Sequence, residues 1–87
     1  MPHFIVITSN AKDELRTKEL SDAHMSYLKM LQDEGKLEFA GRFVDGEGGL
    51  YALNVSDRVE AEKLAARDPY HSSGYRKYMI RGWERRL

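Results

Sequence analysis

Apolar residues along this chain change period from one segment to the next. His3 to Thr8 reads His-Phe-Ile-Val-Ile-Thr, a β-rich run that is apolar on both faces, with Phe4 and Val6 on one side and Ile5 and Ile7 on the other. A strand that is apolar on both faces must be covered on both, so this one is expected near the centre of a sheet. From Leu20 to Leu31 the period becomes helical, and Leu20, His24, Tyr27, Leu28 and Leu31 fall on one face. Lys18, Asp22, Lys29 and Asp33 are available to the other side. Asn10 with Asp13 offers a capping pattern for a first turn, and Gly35 is placed to end the helix.

Alternation returns over Leu37 to Phe43, with Leu37, Phe39, Gly41 and Phe43 on one face and Lys36, Glu38, Ala40 and Arg42 on the other. The segment Asp45-Gly46-Glu47-Gly48-Gly49 is a turn, and Leu50 to Val55 is the next strand, so the pair reads as a hairpin. Asp57 and Glu60 make a capping box that opens a short helix over Arg58 to about Arg67, with Val59, Leu64 and Ala65 as its apolar stripe. Pro69 stops that helix. A loop over His71 to Gly74 leads to a last strand over Tyr78 to Trp83. The predicted order is βαββαβ, the ferredoxin-like α+β arrangement, in which both helices lie on one face of an antiparallel four-stranded sheet. The other sheet face is then bare, yet the first strand is apolar on that side too. A second copy packed sheet to sheet would cover it, which predicts a homodimer or an assembly of dimers.

The length of 87 residues fits one domain spanning the whole chain, 1–87. A domain this small buries only about 60% of its unfolded surface, so oligomerisation is a natural source of further stability. With no cysteine, disulfides, thiolate metal sites and a cysteine nucleophile are excluded. The formal charge is zero, so there is no broad basic footprint for nucleic acid; Arg81, Arg85 and Arg86 form one local excess that reads as a solvated terminal patch. No apolar run approaches the ~20 residues of a membrane span, and Met1 to Ser9 lacks the cationic start of a secretory signal. The expectation is a cytoplasmic protein with neither membrane nor nucleic-acid partners.

His24 is out of place on the apolar stripe of its helix. It is either a core histidine bonded to a backbone carbonyl or a functional imidazole, and the second role needs a partner that fixes its tautomer. Asp68 is the candidate. It ends the second helix, where a carboxylate opposes the helix dipole, and side-by-side helices would bring it toward His24. Arg16, eight residues before His24, is spaced to reach the same side two helical turns away and is either an oxyanion partner or a surface ion pair. Tyr51, Tyr70, Tyr75 and Tyr78 either line an aromatic pocket or fill a thin core. His3 and His71 have no metal-ligand spacing with His24, and the glycines at 46, 48 and 49 lie in a hairpin rather than at a helix N-terminus, so neither a metal nor a phosphate-bearing cofactor is expected.

An ordered set of short pieces then gives a family resemblance. Leu15-Arg16, His24-Met25-Ser26-Tyr27-Leu28, Glu34-Gly35-Lys36-Leu37 and Ala40-Gly41 are followed by Ala61-Glu62, Asp68-Pro69-Tyr70, Gly74-Tyr75 and Ile80-Arg81-Gly82-Trp83. With these the chain resembles the YCII-like (YciI-related) proteins, small members of the dimeric α+β barrel superfamily, over essentially its full length. The resemblance implies a ferredoxin-like protomer, a sheet-to-sheet dimer and a His–Asp dyad in a pocket. The family's best-understood activity is dehydrochlorination of a chlorinated hydroxyhydroquinone, and neighbouring dimeric barrels include muconolactone isomerases. Carried over, His24 would be the general base, Asp68 its orienter, Pro69 the residue that holds Asp68, and Arg16 an oxyanion partner. Arg42, Tyr70 and Pro69 would face the ligand. Two positions depart from the family pattern. Arg42 stands where proline is usual after the second-strand glycine, which suits an anionic ligand. Leu50 follows Gly49 where a hydroxyl residue is common, which removes one oxyanion donor.

The function expected on these grounds is a cofactor-free lyase or isomerase that abstracts a proton from a hydroxylated cyclic or aromatic small molecule. A non-catalytic ligand-binding or interaction module of the same fold is the alternative, distinguished by having no titrating histidine in its pH profile. An RNA-recognition domain shares the element order, and Gly49 to Val55 faintly echoes its third-strand motif, but the neutral charge and the lack of a basic residue before Gly49 argue against it.

Overall fold

The structure, a computed structural model, describes residues 3–87. Strand β1 (His3–Asn10) leads through a 3-10 turn (Asp13–Leu15) to helix α1 (Lys18–Asp33). Strands β2 (Leu37–Arg42) and β3 (Gly49–Leu53) follow, then α2 (Arg58–Arg67), a short helical turn α3 (Pro69–Ser72) and β4 (Arg76–Trp83). The sheet is fully antiparallel, in the order β2-β3-β1-β4. β1 is central, as its two apolar faces require. The arrangement is the ferredoxin-like α+β fold.

One layer of core lies between the sheet and the helices. Val6 pairs with Tyr51 on one side and Ile80 on the other, and all three are buried against Leu28, Leu31, Leu64 and Ala65. The Tyr27 hydroxyl donates to the Leu64 carbonyl at 2.7 Å, which ties α1 to α2. Among the described residues, no helix is long and apolar enough to cross a membrane.

Several local expectations are corrected. The cap of α1 is Thr17, whose hydroxyl accepts from the Leu20 amide at 3.1 Å; the Asn10–Asp13 segment instead forms a separate 3-10 turn with no side-chain cap. In β2 the alternation breaks. Leu37 pairs with Leu53 but Phe39 pairs with Ala52, so Glu38 is an extra residue in a β-bulge. Leu37 therefore turns into the core while Phe39 lies on the opposite face, 43% exposed, and Arg42 comes round to the helix side. Val59 is exposed and Ala61 takes its place in the buried stripe of α2. His71 and Ser72 belong to α3 rather than to a loop, and β4 begins two residues earlier than the apolar pattern indicates, at Arg76.

The sheet face away from the helices carries Ile5, Ile7, Leu50, Ala52, Phe39 and Met79, joined by direct cross-strand pairing. Met79 is 57% exposed.

Candidate active site

Asp68 lies in the single extended residue between two helices. Backbone geometry at φ −59° and ψ 125° ends α2 and at the same time opens α3. Pro69 sits at the first position of α3, where its fixed φ suits a helix start and its missing N–H costs nothing. The Asp68 side chain thus acts as an N-cap, with Oδ1 accepting from the Tyr70 amide at 2.9 Å. The unfavourable meeting with the α2 dipole expected from sequence is answered by this second helix start.

The same carboxylate has two further donors. His24 Nδ1 donates to Oδ1 at 2.7 Å, and the Tyr51 hydroxyl donates to Oδ2 at 3.0 Å. Asp68 is 0% exposed, so every bond it makes is inside the protein. Burial by itself opposes the charged form. The hydrogen bond and charge of His24, together with the Tyr70 amide, outweigh it and hold the carboxyl below its usual range. Burial, reinforced by the facing Asp68 charge, pushes the Tyr51 phenol far above its ordinary value and keeps it a donor. A carboxylate so placed fixes His24 as the Nδ1–H tautomer in its neutral form, leaving Nε2 as an acceptor. Nε2 makes no hydrogen bond to any described residue.

Tyr70, itself anchored, holds the imidazole in orientation. Its ring stacks on Tyr70 with centroids 3.8 Å apart and planes 8° apart, and the Tyr70 hydroxyl is anchored on Ser21 Oγ at 2.9 Å. Tyr70 also meets Tyr75 edge-on at 4.8 Å.

His24 opens onto a cavity of about 530 Å³ between α1, α3 and the β2–β3 end of the sheet. That volume is in the range of small-molecule sites. Arg16, Arg42 and Tyr70 line it with His24, whereas Asp68 lies behind the imidazole and is not on the wall. Arg16 reaches the cavity from the extended segment before α1, not from two turns down the helix, and it is exposed. Pro69 does not line the cavity; it shapes the backbone that aims Asp68. Of the four tyrosines, Tyr51, Tyr70 and Tyr75 are on the wall, while Tyr78 packs on the core and against His71 at 4.3 Å.

Sequence reasoning did not single out Arg76 or Thr8, both of which line the cavity. Strand register is what puts them there, since alternate β1 and β4 residues point to the helix side. Among the described residues no group of three or more His, Cys, Asp or Glu side chains could hold a metal.

The profile of the YCII-related domain matches residues 1–84. The chain belongs to the YCII-related family. No curated protein matches this family member in sequence. In fold it is similar to the 5-chloro-2-hydroxyhydroquinone dehydrochlorinase of Burkholderia phenoliruptrix AC1100, solved in complex with 2,5-dihydroxybenzoquinone. The TM-score is 0.71 at 17% identity, over 94% of this chain and 93% of that one.

Proposed function

We propose that this YCII-related protein is a cofactor-free lyase or isomerase in which His24 Nε2 removes a proton from a hydroxylated cyclic or aromatic small molecule. The observation that carries the reading is the fully buried, three-donor carboxylate of Asp68 bonded to His24 Nδ1, with the imidazole opening onto a ligand-sized cavity. A core histidine needs one hydrogen-bond partner. It does not need an ionised partner braced by a backbone amide and a phenol.

In this reading Asp68 is a positioning residue. It holds the tautomer that leaves Nε2 free, and its charge stabilises the imidazolium formed when the proton arrives. Tyr51 keeps Asp68 from rotating away, and Tyr70 keeps the imidazole plane fixed. Charge that develops on a substrate oxygen is met by Arg16 from the cavity wall. A positioned base of this kind contributes about 10²–10⁴-fold. The similar fold of a dehydrochlorinase complexed with a dihydroxybenzoquinone supports the choice of ring substrates. A second copy of the chain, seated on the apolar sheet face, completes the assembly.

The test is a screen of hydroxylated aromatics, quinones and lactones for thermal stabilisation, followed by proton–deuterium exchange or turnover with each binder. His24→Asn is expected to keep the fold and lose exchange by at least the hundredfold end of that range. Binding and exchange that are equal in the wild type and His24→Asn would leave a ligand-binding module in which His24 is structural.

A further inference from the structure

Arg76 stands at the start of β4 and faces the cavity. Its guanidinium lies over the Tyr70 ring at 4.6 Å and near the Tyr75 ring at 5.3 Å, and its Nη1 donates to Thr8 Oγ1 at 3.2 Å. Nε is buried and has no partner among the described residues. No described carboxylate is within ion-pair distance of this arginine. A partly buried cation without a counter-ion is a costly arrangement. Here two aromatic faces and a threonine fix its direction, which is the behaviour of a group held ready for something else.

Thr8 occupies Nη1 and Nε is closed off inside the protein, so Nη2 is the donor left toward the cavity, a single charged contact for one oxygen of a carboxylate. His24 covers one face of Tyr70, which leaves Arg76 the other, so a single ring separates the proposed base from the guanidinium. Arg16 and Arg42 add positive charge at the exposed rim, and Asp13 is the acidic residue on the described wall besides these bases.

We infer that Arg76 is the specificity-determining residue of this cavity and that it selects a ring substrate bearing a carboxylate, held by the charged Nη2 while His24 addresses the ring. This inference rests on the ring-substrate reading given above, but its test is a binding measurement that does not require catalysis.

The probes are 2,5-dihydroxybenzoate, its neutral isostere 2,5-dihydroxybenzamide, and hydroquinone, titrated into the full-length protein by calorimetry or NMR. The wild type is expected to bind the carboxylate at least tenfold more tightly than either neutral probe. Arg76→Gln should bring the carboxylate down to the amide's affinity and leave the amide within twofold. Arg85→Gln, an exposed arginine that does not line the cavity, should leave all three affinities within twofold. If Arg76→Gln loses its native circular dichroism, Arg76→Lys carries the test: a charge no longer held in place by Thr8 and the Tyr70 ring should weaken the carboxylate at least threefold and spare the amide. Equal affinities for carboxylate and amide in the wild type, a preference that survives removal of Arg76, or no carboxylate binding at 10 mM would each overturn the inference. Carboxylate preference without deuterium exchange would instead remove the role of His24 and leave Arg76 standing. Exchange without the preference would do the reverse.

Discussion

Replacing Asp68 by asparagine isolates the charge at the centre of the site. Asparagine has the same shape, and its oxygen can take the Oδ1 position and still accept from His24 Nδ1 and the Tyr70 amide. Its amide group then faces the Tyr51 hydroxyl, which must turn round to accept. Three hydrogen bonds to a charged acceptor become ordinary ones, a loss of about 1 kcal/mol each. Against this, a buried charge no longer has to be desolvated, which recovers part of the loss. The net expectation is destabilisation by about 1–3 kcal/mol at pH 7. For a chain of this size that corresponds to roughly 5–20 °C in melting temperature.

The pH dependence gives the prediction its sign. The folded-state value of Asp68 is lowered, so its stabilisation is complete above the unfolded carboxylate value near ~pH 4 and disappears as pH falls through the lower folded value. Urea denaturation of the wild type and Asp68→Asn should therefore show a gap that is present at about pH 5 to 7 and closes in stronger acid. A gap under about 0.5 kcal/mol at pH 7, or one that does not narrow below ~pH 4, would refute the claim that the carboxylate is ionised and well satisfied.

Three further outcomes follow from other parts of the fold. Gly48 has φ +92° and a Cβ there would lie 2.1 Å from the Thr8 carbonyl oxygen, while Gly46, at φ +84°, faces open space. Gly48→Ala should cost about 2 kcal/mol or more and Gly46→Ala about half that, with equal melting temperatures contradicting the packing of the hairpin end on β1. Burial holds His71 below its ordinary value even though it donates to the Ala65 carbonyl at 2.7 Å, so the unfolded chain takes up the proton first and stability should fall as pH drops below about 6.5. That fall should be shallower in His71→Gln by urea titration, and an identical pH slope would show that His71 is not the group responsible. Ile7→Glu, on the apolar sheet face, should convert a dimer to monomer in sedimentation at micromolar concentration, and a wild type that is already monomeric would rule out the proposed sheet-to-sheet assembly.

Much of the architecture is legible in the residue pattern because the physics behind it is local. The doubly apolar β1, the helical stripe through His24 and Leu28, and the Asp57–Glu60 box each report on a period or a cap within a few residues. The β2 bulge is not legible, because Leu37 and Phe39 alternate correctly in sequence and only the pairing with Leu53 and Ala52 shows that they face opposite ways. Asp68 is visible as an unusual helix end, and Pro69 after it carries the signal of a new helix start, which reads equally well as a stop. The Tyr51 bond to Asp68 depends on how the α2–α3 junction packs on β3, and the place of Arg76 on strand register, over 17 and 68 residues of separation, and nothing local encodes them. The aromatic residues around the site are recognisable as a set. Which of them brace the imidazole depends on α3, an element too short for a periodic signature.

Proton abstraction by His24 requires one bare ring nitrogen. Long-range ¹⁵N–¹H correlation NMR of the histidine rings, recorded where the His24 ring is neutral, reads its tautomer directly. The proton is predicted on Nδ1, bonded to Asp68, with Nε2 bare toward the cavity, and this preference should weaken in Asp68→Asn. A neutral His24 ring carrying its proton on Nε2 would mean that the atom facing the cavity is a donor, and the proposed proton abstraction would fall.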